Sequence, residues 1–236
     1  MAYHRTSNVV ARLADKRNRI LNAARSLVSE GGWPEARVSH VAASAGLAIG
    51  TVYRYFPSKT DLFVEVLSTV SQREVQVLEA IADGDEAPGQ RLHQAVVAFV
   101  ERAMRNRRLA YALIAEPCER QIDEARLTYR YAISKQIMRI VEAGVARGDF
   151  RPDLDCSVAA TVIVGGFMEG LIGPLSPLNA EFDANDRAAT RSVHDLAGQI
   201  ADVCCAAVAA TDGRVKRLAS ATSLSTSLPT SRTRRR

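Results

Sequence analysis

The stretch that decides the fold is "VAASAGLAIGTVYRYFPSK", residues 41–59. Alanines and aliphatic residues recur in it at helical spacing, and Gly46 divides it into two short segments. A glycine there permits a tight turn, because glycine readily adopts the left-handed backbone conformation. Pro57 ends the second segment, since proline cannot continue a helix. The pattern predicts a helix-turn-helix with helices at about 38–45 and 49–56.

The second of these helices carries more aromatic and basic groups than a core helix or an ordinary surface helix needs. The hydroxyls of Tyr53 and Tyr55 can reach phosphate oxygens, and Arg54 can pair with guanine in a bidentate manner. Lys59 begins the next helix, where its ammonium and the free backbone N–H groups can share one phosphate. Taken singly, each residue could be a packing or solvated side chain. In this order they predict a helix that enters the major groove of DNA.

Further candidate DNA contacts lie beside these residues. Gly50 allows the backbone to approach DNA closely, Thr51 is a candidate base contact, and Ile49 could contact a thymine methyl group. Arg37 or Ser39 could reach a phosphate from the preceding helix. The candidate DNA-binding residues are therefore Arg37, Ser39, Ile49, Gly50, Thr51, Tyr53, Arg54, Tyr55 and Lys59.

The rest of the chain has helical periodicity throughout, with no sustained strand alternation and no internal repeat. It predicts an all-α fold: an N-terminal three-helix DNA-binding domain with the helix-turn-helix, and a larger C-terminal helical domain. The other helices are predicted at about 18–29, 59–82, 91–106, 110–116, 122–147, 157–171 and 186–209.

Charge is unevenly distributed along the 236 residues. The net charge is +6 over residues 1–60, −8 over 61–213 and +7 over 214–236, which suggests that the front of the chain meets a polyanion. The basic end could add phosphate contacts or could serve only solubility, and both readings stay open. The expected division is a flexible arm at 1–13, a DNA-binding domain at 14–74 with its helix-turn-helix at about 37–56, a body at 75–212 and a disordered tail at 213–236.

Several classes of protein are disfavoured. The first residues lack a signal peptide, and the apolar run 156–175 contains Glu169, so we interpret it as a buried helix rather than a membrane span. The expected location is the cytoplasm, without membrane association. The four cysteines form no CxxC pair and the histidines are scattered, so no metal and no cofactor are expected. Buried thiols are the favoured reading, and redox activity of the adjacent pair Cys204 and Cys205 is the alternative.

Two long segments resemble a known family. "RILNAARSLVSEGGW" (19–33) and "VAASAGLAIGTVYRYFPSKTDLFVEVL" (41–67) are similar to the N-terminal domain of the TetR family of transcriptional regulators, over about residues 17–67. The resemblance implies an all-helical homodimer that binds a palindromic double-stranded DNA operator and is released by a small ligand bound in the C-terminal domain.

The resemblance also assigns roles to single residues. Tyr53, Tyr55 and Lys59 match positions that usually contact phosphates, and Gly50, Thr51 and Arg54 match positions that contact bases. Two departures matter: Arg37 stands where Ser or Thr often caps the second helix, and residues 48–49 are Ala-Ile where Ser-Lys is frequent. Phosphate anchoring is therefore predicted more firmly than the operator sequence.

The acidic body contains no comparable motif. Apolar side chains could line a ligand cavity, although each could equally be core, and Arg126 with Arg130 could bind a carboxylate or phosphate if turned inward instead of into solvent. The candidate ligand-binding residues are Phe99, Met104, Tyr111, Arg126, Met138 and Phe167.

The last two body helices are the expected dimer interface. In the segment 157–171, Gly166 and Gly170 have the spacing that lets helices approach closely, and in 186–209 Leu196, Ile200, Val203 and Ala207 form an apolar face. Burial of both helices within their own chain is the alternative.

The function predicted from these observations is a ligand-responsive transcriptional repressor, released from a palindromic operator by a small apolar or acyl-type molecule. The first alternative is a helical enzyme, which no catalytic triad, carboxylate pair, phosphate loop or metal constellation supports. The second is an architectural DNA-binding protein without a ligand, which the large body argues against.

Overall fold

The computed structural model describes residues 2–178 and 187–210, and within them the chain is helical. An isolated bridge between Phe150 and Ala209 is the single strand-like pairing of the described residues. The helices are α1 (Ala2–Gly31), α2 (Val38–Ser44), α3 (Ile49–Tyr55), α4 (Lys59–Ala82), α5 (Pro88–Arg105), α6 (Arg107–Ile114), α7 (Arg120–Arg147), α8 (Cys156–Leu175) and α9 (Arg187–Val208). The predicted all-α architecture is confirmed.

Helix α1 corrects the expectation of a flexible arm at 1–13, because it is helical from Ala2 onward. Residues 2–30 contain neither glycine nor proline and are rich in Ala, Leu and Arg, which favour helix without any tertiary contact. Among the side chains described from residue 9 onward, the first buried one is Ile20. The sequence prediction relied on a buried face, and so it began the helix too late.

The remaining helix ends differ from the prediction by a few residues for local reasons. Helix α5 begins at Pro88, since proline is favourable in the first turn of a helix. Asn106 separates α5 from α6, and its side chain accepts a hydrogen bond from the Leu109 amide at 3.1 Å. Helix α8 continues through Pro174 to Leu175, four residues beyond the predicted end.

Two hydrophobic clusters form the core. The N-terminal cluster contains buried side chains of the four helices α1, α2, α3 and α4. It also includes Leu109 and Ala112 of α6 and Ile122 of α7. The body cluster joins α4, α5, α7, α8 and α9, and the ring centroids of Phe99 and Phe167 lie 4.7 Å apart within it. Helix α4 contributes side chains to both clusters and thereby connects them.

Helix α8 is, among the described residues, the one helix long and apolar enough to cross a membrane. One face of it is buried in the body core against α7 and α9, with Phe167 and Leu171 fully buried. Its opposite face, which includes Val158 and Val162, is exposed. The helix therefore contributes one face to the body core and leaves apolar side chains exposed on the other.

The predicted tail at 213–236 and the connection 179–186 lie outside the described residues.

Candidate nucleic-acid interface and ligand cavity

The turn between α2 and α3 is fixed by backbone hydrogen bonds at the end of α2. Gly46 has φ +63°, its amide donates to the Ala43 carbonyl at 3.0 Å, and the Leu47 amide donates to the Ala42 carbonyl at 2.9 Å. These two bonds form a Schellman motif, which requires the left-handed glycine. The sequence prediction of a turn at Gly46 is confirmed.

A side chain from α1 adds a second constraint on this turn. Arg19 Nη2 donates to the Ala45 carbonyl at 2.5 Å, so α1 binds the last carbonyl of α2 directly. The bond thereby helps to fix the orientation of α3, which follows this turn. Sequence reasoning missed this role of Arg19, because the two residues are 26 positions apart and no local pattern joins them.

Helix α3 presents one face to the core and one to solvent. Val52 and the following Phe56 are buried. Ile49 and Tyr53 lie one turn apart and are 48% and 47% exposed. Gly50 and Arg54 form the adjacent exposed row, and a Cβ added at Gly50 would meet no other atom within 4 Å. The fold itself therefore imposes no need for glycine at this position.

Two other predicted contacts of this helix are less exposed. Thr51 is half-buried, and Tyr55 is half-buried against the N-terminal cluster. The packing of Tyr55 against this cluster follows from its position beside the buried Phe56.

The start of α4 is a capped helix end beside α3. Ser58 and Asp61 form a capping box, in which the Ser58 side chain accepts from the Asp61 amide at 3.0 Å and the Ser58 amide donates to the Asp61 carboxylate at 3.0 Å. The amides of Lys59 and Thr60 lie in the first turn, where intrahelical partners do not exist. The Lys59 ammonium lies 5.0 Å from the centre of the Phe63 ring.

The N-termini of α2 and α3 are less well capped than that of α4. Arg37 and Ala48 occupy the N-cap positions, and neither side chain makes a capping hydrogen bond. This is the departure from Ser or Thr noted in the sequence. Arg37 and Ser39 flank the first residue of α2, and both are exposed. Residues 37–60 contain three basic residues and no acidic residue, so the exposed surface here is positive.

A cavity of about 110 Å³ lies in the body between α4, α5, α6, α7 and α8. Of the candidate ligand residues, Phe99 and Arg126 line it. Its wall also includes Tyr129, Arg130 and Met168. The remaining lining residues are Val70, Ser71, Glu74, Arg102, Ala103, Asn106, Leu109, Ala110, Leu113, Ile114 and Ile133.

The other four candidate ligand residues do not line this cavity. Met104 and Phe167 are buried in the body cluster, and Met138 packs against that cluster. Tyr111 lies with its ring 5.9 Å from the Arg108 guanidinium. The sequence showed which side chains were apolar. Whether each of them lies in the core or lines the cavity depends on how the helices pack.

Charged groups border the cavity. Arg102 donates to both carboxylate oxygens of Glu74, at 2.8 and 2.9 Å, and this hydrogen bonding raises the pKa of Arg102. Arg126 and Arg130 stand one turn apart on α7 and donate to carbonyls at the end of α6. Positive side chains at a helix C-terminus are favourable because they satisfy free carbonyls and the helix dipole.

The end of α1 is held by α6. Trp33 is buried, its Nε1 donates to the Ala112 carbonyl at 2.9 Å, and its amide donates to Glu116 Oε2 at 3.1 Å. Arg108 donates to the Gly31 carbonyl at 2.8 Å and to Glu116. The burial of Trp33 and its bond to the Ala112 carbonyl anchor the end of α1 to α6, a contact between residues 79 positions apart that no local sequence pattern indicates.

A partly apolar surface extends along α8 and α9. Val158 and Val162 on α8 and Val203 on α9 are 58%, 61% and 72% exposed. Gly166 is exposed with open space around it, whereas Gly170 faces Ile200 of α9. The exposed surface is therefore formed by the α8 residues opposite its buried face, while Leu196 and Ile200 of the predicted face pack inward.

The four cysteines are free thiols, and burial raises the pKa of three of them. Burial raises the pKa of Cys204, and it raises the pKa of Cys205 to about 11. Burial likewise raises the pKa of Cys118 to about 11. The thiolate is the reactive form, so these values favour the buried-thiol reading over redox activity. Within residues 2–178 and 187–210 there is no group of three or more His, Cys, Asp or Glu residues placed to hold a metal.

Residues 20–66 match the family of bacterial regulatory proteins, tetR family. The chain is 29% identical over 178 residues to the HTH-type transcriptional repressor KstR of Rhodococcus jostii (strain RHA1), covering 73% of this chain and 79% of that protein. It is 28% identical over 180 residues to KstR of Mycobacterium tuberculosis (strain ATCC 25618 / H37Rv), covering 73% of this chain and 77% of the relative.

Solved structures with the same fold include two regulators. FadR from Bacillus subtilis, in complex with stearoyl-CoA, superimposes with a TM-score of 0.65 at 17% identity, covering 80% of this chain and 97% of that one. SmeT, the repressor of a Stenotrophomonas maltophilia multidrug efflux pump, gives a TM-score of 0.66 at 19% identity, covering 84% and 94%. At these identities the likeness concerns the fold.

Proposed function

Since this chain belongs to the TetR family of transcriptional regulators, we propose that it is a repressor that binds a palindromic DNA operator as a homodimer and leaves it when a small apolar or acyl-type molecule occupies the body. We further propose a cytoplasmic location, a DNA-binding unit at 14–74 and a ligand-binding and dimerisation unit at 75–212.

The observation that carries the proposal is the exposed face of α3 on a rigid turn. Ile49, Gly50, Tyr53 and Arg54 project together from a helix whose other side is buried, and the Schellman turn with Arg19 holds its direction. This is the geometry by which a recognition helix offers side chains to base edges in the major groove. Arg54 is our candidate for a guanine and Ile49 for a thymine methyl.

Phosphate anchoring is assigned to groups at the edges of this face. Tyr53 and the edge of Tyr55 lie on the flanks of α3, and Lys59 with the first amides of α4 lies at its end. Arg37 and Ser39 provide the same function from α2. Phosphate contacts fix the register of a protein on DNA without reading sequence.

Dimerisation is assigned to the exposed face of α8 with Val203 and Ala207 of α9. Val158 and Val162 lie one turn apart, and Gly165 and Gly166 follow them on the exposed side. Small residues in this stripe let a second copy of α8 approach closely. A two-fold dimer through this face would place two copies of α3 on one side, as a palindromic site requires.

The cavity is the candidate effector site. Its volume of about 110 Å³ is below the roughly 300–1,000 Å³ of typical ligand pockets, so we expect its walls to move when a ligand enters. Helix α4 lines the cavity with Val70, Ser71 and Glu74 and also forms part of the DNA-binding core. Displacement of α4 would change the position of α3 and the fit of the dimer to DNA.

The experiment that tests this function is the selection of bound DNA from a random pool at one stated salt concentration. The variants are Arg54→Ala and Tyr53→Phe, with Arg105→Ala on the exposed surface of the body as the matched control. We expect an enriched palindrome that Arg54→Ala abolishes or alters at one position and that Arg105→Ala leaves unchanged. Tyr53→Phe should weaken binding to all sequences about equally. Binding without enrichment would refute the repressor function.

A further inference from the structure

Arg126 is a buried guanidinium whose hydrogen-bonding capacity is not fully used. Its side chain is 10% exposed, and it lines the cavity. Nη1 donates to Asp123 Oδ1 at 2.6 Å, and Nη2 donates to the Ala112 and Glu116 carbonyls, each at 2.6 Å. Its Nε is buried and without a hydrogen-bond partner. A buried donor on a charged group is costly unless an acceptor is supplied.

The charges around the cavity are predominantly positive. Three arginines and one glutamate line it, and Arg102 neutralises Glu74 with two hydrogen bonds. Arg126 and Arg130 are then the charged groups of the wall that no carboxylate lining the cavity neutralises, and most of the remaining lining residues are apolar. Asp123, the acidic partner of Arg126, is half-exposed and does not line the cavity. A net charge of −8 over residues 61–213 makes this positive wall an exception within the body.

We propose that Arg126, assisted by Arg130, binds the anionic group of an amphipathic effector whose apolar part occupies the cavity. The proposal rests on the proposed function and specifies the effector's chemistry. A carboxylate or a phosphate is the acceptor that a guanidinium binds best, because two parallel N–H groups can donate to two oxygens. The free Nε of Arg126 provides one of these donors, and Nη2 provides the second by leaving the Ala112 or the Glu116 carbonyl.

The same side chain connects the cavity to the DNA-binding domain. The Ala112 carbonyl accepts from both Arg126 Nη2 and Trp33 Nε1. Glu116 accepts from Arg126 through its carbonyl and from the Trp33 amide through its carboxylate. An anion that draws Arg126 into the cavity therefore withdraws donors from the two residues that hold the end of α1.

The competing explanation is that Arg126 and Arg130 only cap the C-terminal end of α6. Their bonds to the Ala112, Glu116 and Ile114 carbonyls would serve that role equally. Capping predicts a loss of stability on substitution and no discrimination between charged and neutral ligands. Anion recognition predicts that discrimination, so a pair of ligands differing only in charge separates the two.

The single tryptophan of the chain makes the test direct, since Trp33 lies at the junction that Arg126 reaches. The full-length protein is titrated with octanoate, octanoyl-CoA and neutral octanol, and Trp33 fluorescence reports binding. We expect one of the anions to bind about tenfold or more tightly than octanol. Preference for octanoate would identify a free carboxylate as the ligand group, and preference for octanoyl-CoA would identify the phosphates.

The variants assign the effect to the arginines. Arg126→Gln should weaken binding of the preferred anion about tenfold or more and leave octanol binding unchanged, while Arg105→Gln on the body surface changes neither. Arg130→Gln is the second variant: its side chain is exposed and makes one bond of 3.4 Å, so folding should not depend on it. Arg130→Gln should weaken binding of the preferred anion by a smaller factor than Arg126→Gln does.

Three results would overturn the proposal: octanol binding as tightly as both anions, neither anion binding, or anion affinity unchanged in both variants. Each of these would leave the DNA selection experiment untouched, because that experiment uses the unliganded protein. Conversely, anion binding in a protein that enriches no palindrome would remove the repressor function and keep the site. Release of labelled operator by the preferred anion, lost in Arg126→Gln, is the expected functional consequence.

Discussion

Substitution of Gly32 by alanine should destabilise the junction between α1 and α6. Gly32 has φ +76°, a conformation that costs an alanine about 1–2 kcal/mol. A Cβ there would lie 1.6 Å from Arg108 Nη2 and 2.6 Å from Glu116 Oε2, so Arg108 must leave. Its charge-assisted bonds to Gly31 and Glu116 contribute about 1.5–3 kcal/mol. The expected loss in the free energy of unfolding is therefore about 2.5–5 kcal/mol.

Urea unfolding, followed by Trp33 fluorescence and circular dichroism, measures this loss. Gly148→Ala is the matched control, because Gly148 has φ +83° with nothing within 4 Å, so only the backbone cost of about 1–2 kcal/mol applies. Each single variant, Gly32→Ala and Arg108→Ala, loses the hydrogen bonds of Arg108, and the double variant loses the same bonds only once. It should be less destabilised than the sum of the single variants by about 1.5–3 kcal/mol. Additivity within about 0.5 kcal/mol would refute the reasoning.

Three further predictions concern other parts of the chain. Ala48→Ser should raise the free energy of unfolding by about 0.5–1 kcal/mol in urea, because the N-cap of α3 has no side-chain hydrogen bond; an unchanged midpoint would contradict this. Val162→Glu should convert a dimer into a monomer in analytical ultracentrifugation, whereas Leu127→Glu on the exposed side of α7 should not; equal behaviour of the two variants would exclude the α8 face. Alkylation of Cys118 and Cys205 at pH 8 should be about ten- to a hundredfold slower in the folded protein than in urea, because a pKa of about 11 leaves little thiolate; similar rates would show that burial does not suppress them.

The DNA-binding half was predictable because its signals are local. A turn glycine and a helix-ending proline are recognised from a few neighbouring residues, and the turn at Gly46 and the helix end before Pro57 were placed correctly. With Val52 buried, helical periodicity places Ile49, Tyr53 and Arg54 on the exposed side of α3. The partial burial of Tyr55 depends on what packs beside it, which periodicity does not show.

The ligand cavity was predictable only in its chemistry. Phe99 and Met104 both lie on α5 and are similar in size and polarity, yet only Phe99 lines the cavity and Met104 is core. Arg126 was named as an inward candidate against the usual exposure of arginine. In the structure its guanidinium donates to the carbonyls of Ala112 in α6 and of Glu116 just after α6, which precede it in the chain by 14 and 10 residues.

The sequence by itself determined the all-α class, the helix-turn-helix and the basic face that marks it as a DNA-binding protein, because helix periodicity, turn glycines and charge act over short range. The tertiary structure alone decided which side chains reach which backbone carbonyls of distant residues. Arg19 binds the Ala45 carbonyl, and Trp33 and Arg126 both bind the Ala112 carbonyl. These contacts join residues 14 to 79 positions apart, and they form only once packing has brought their helices together.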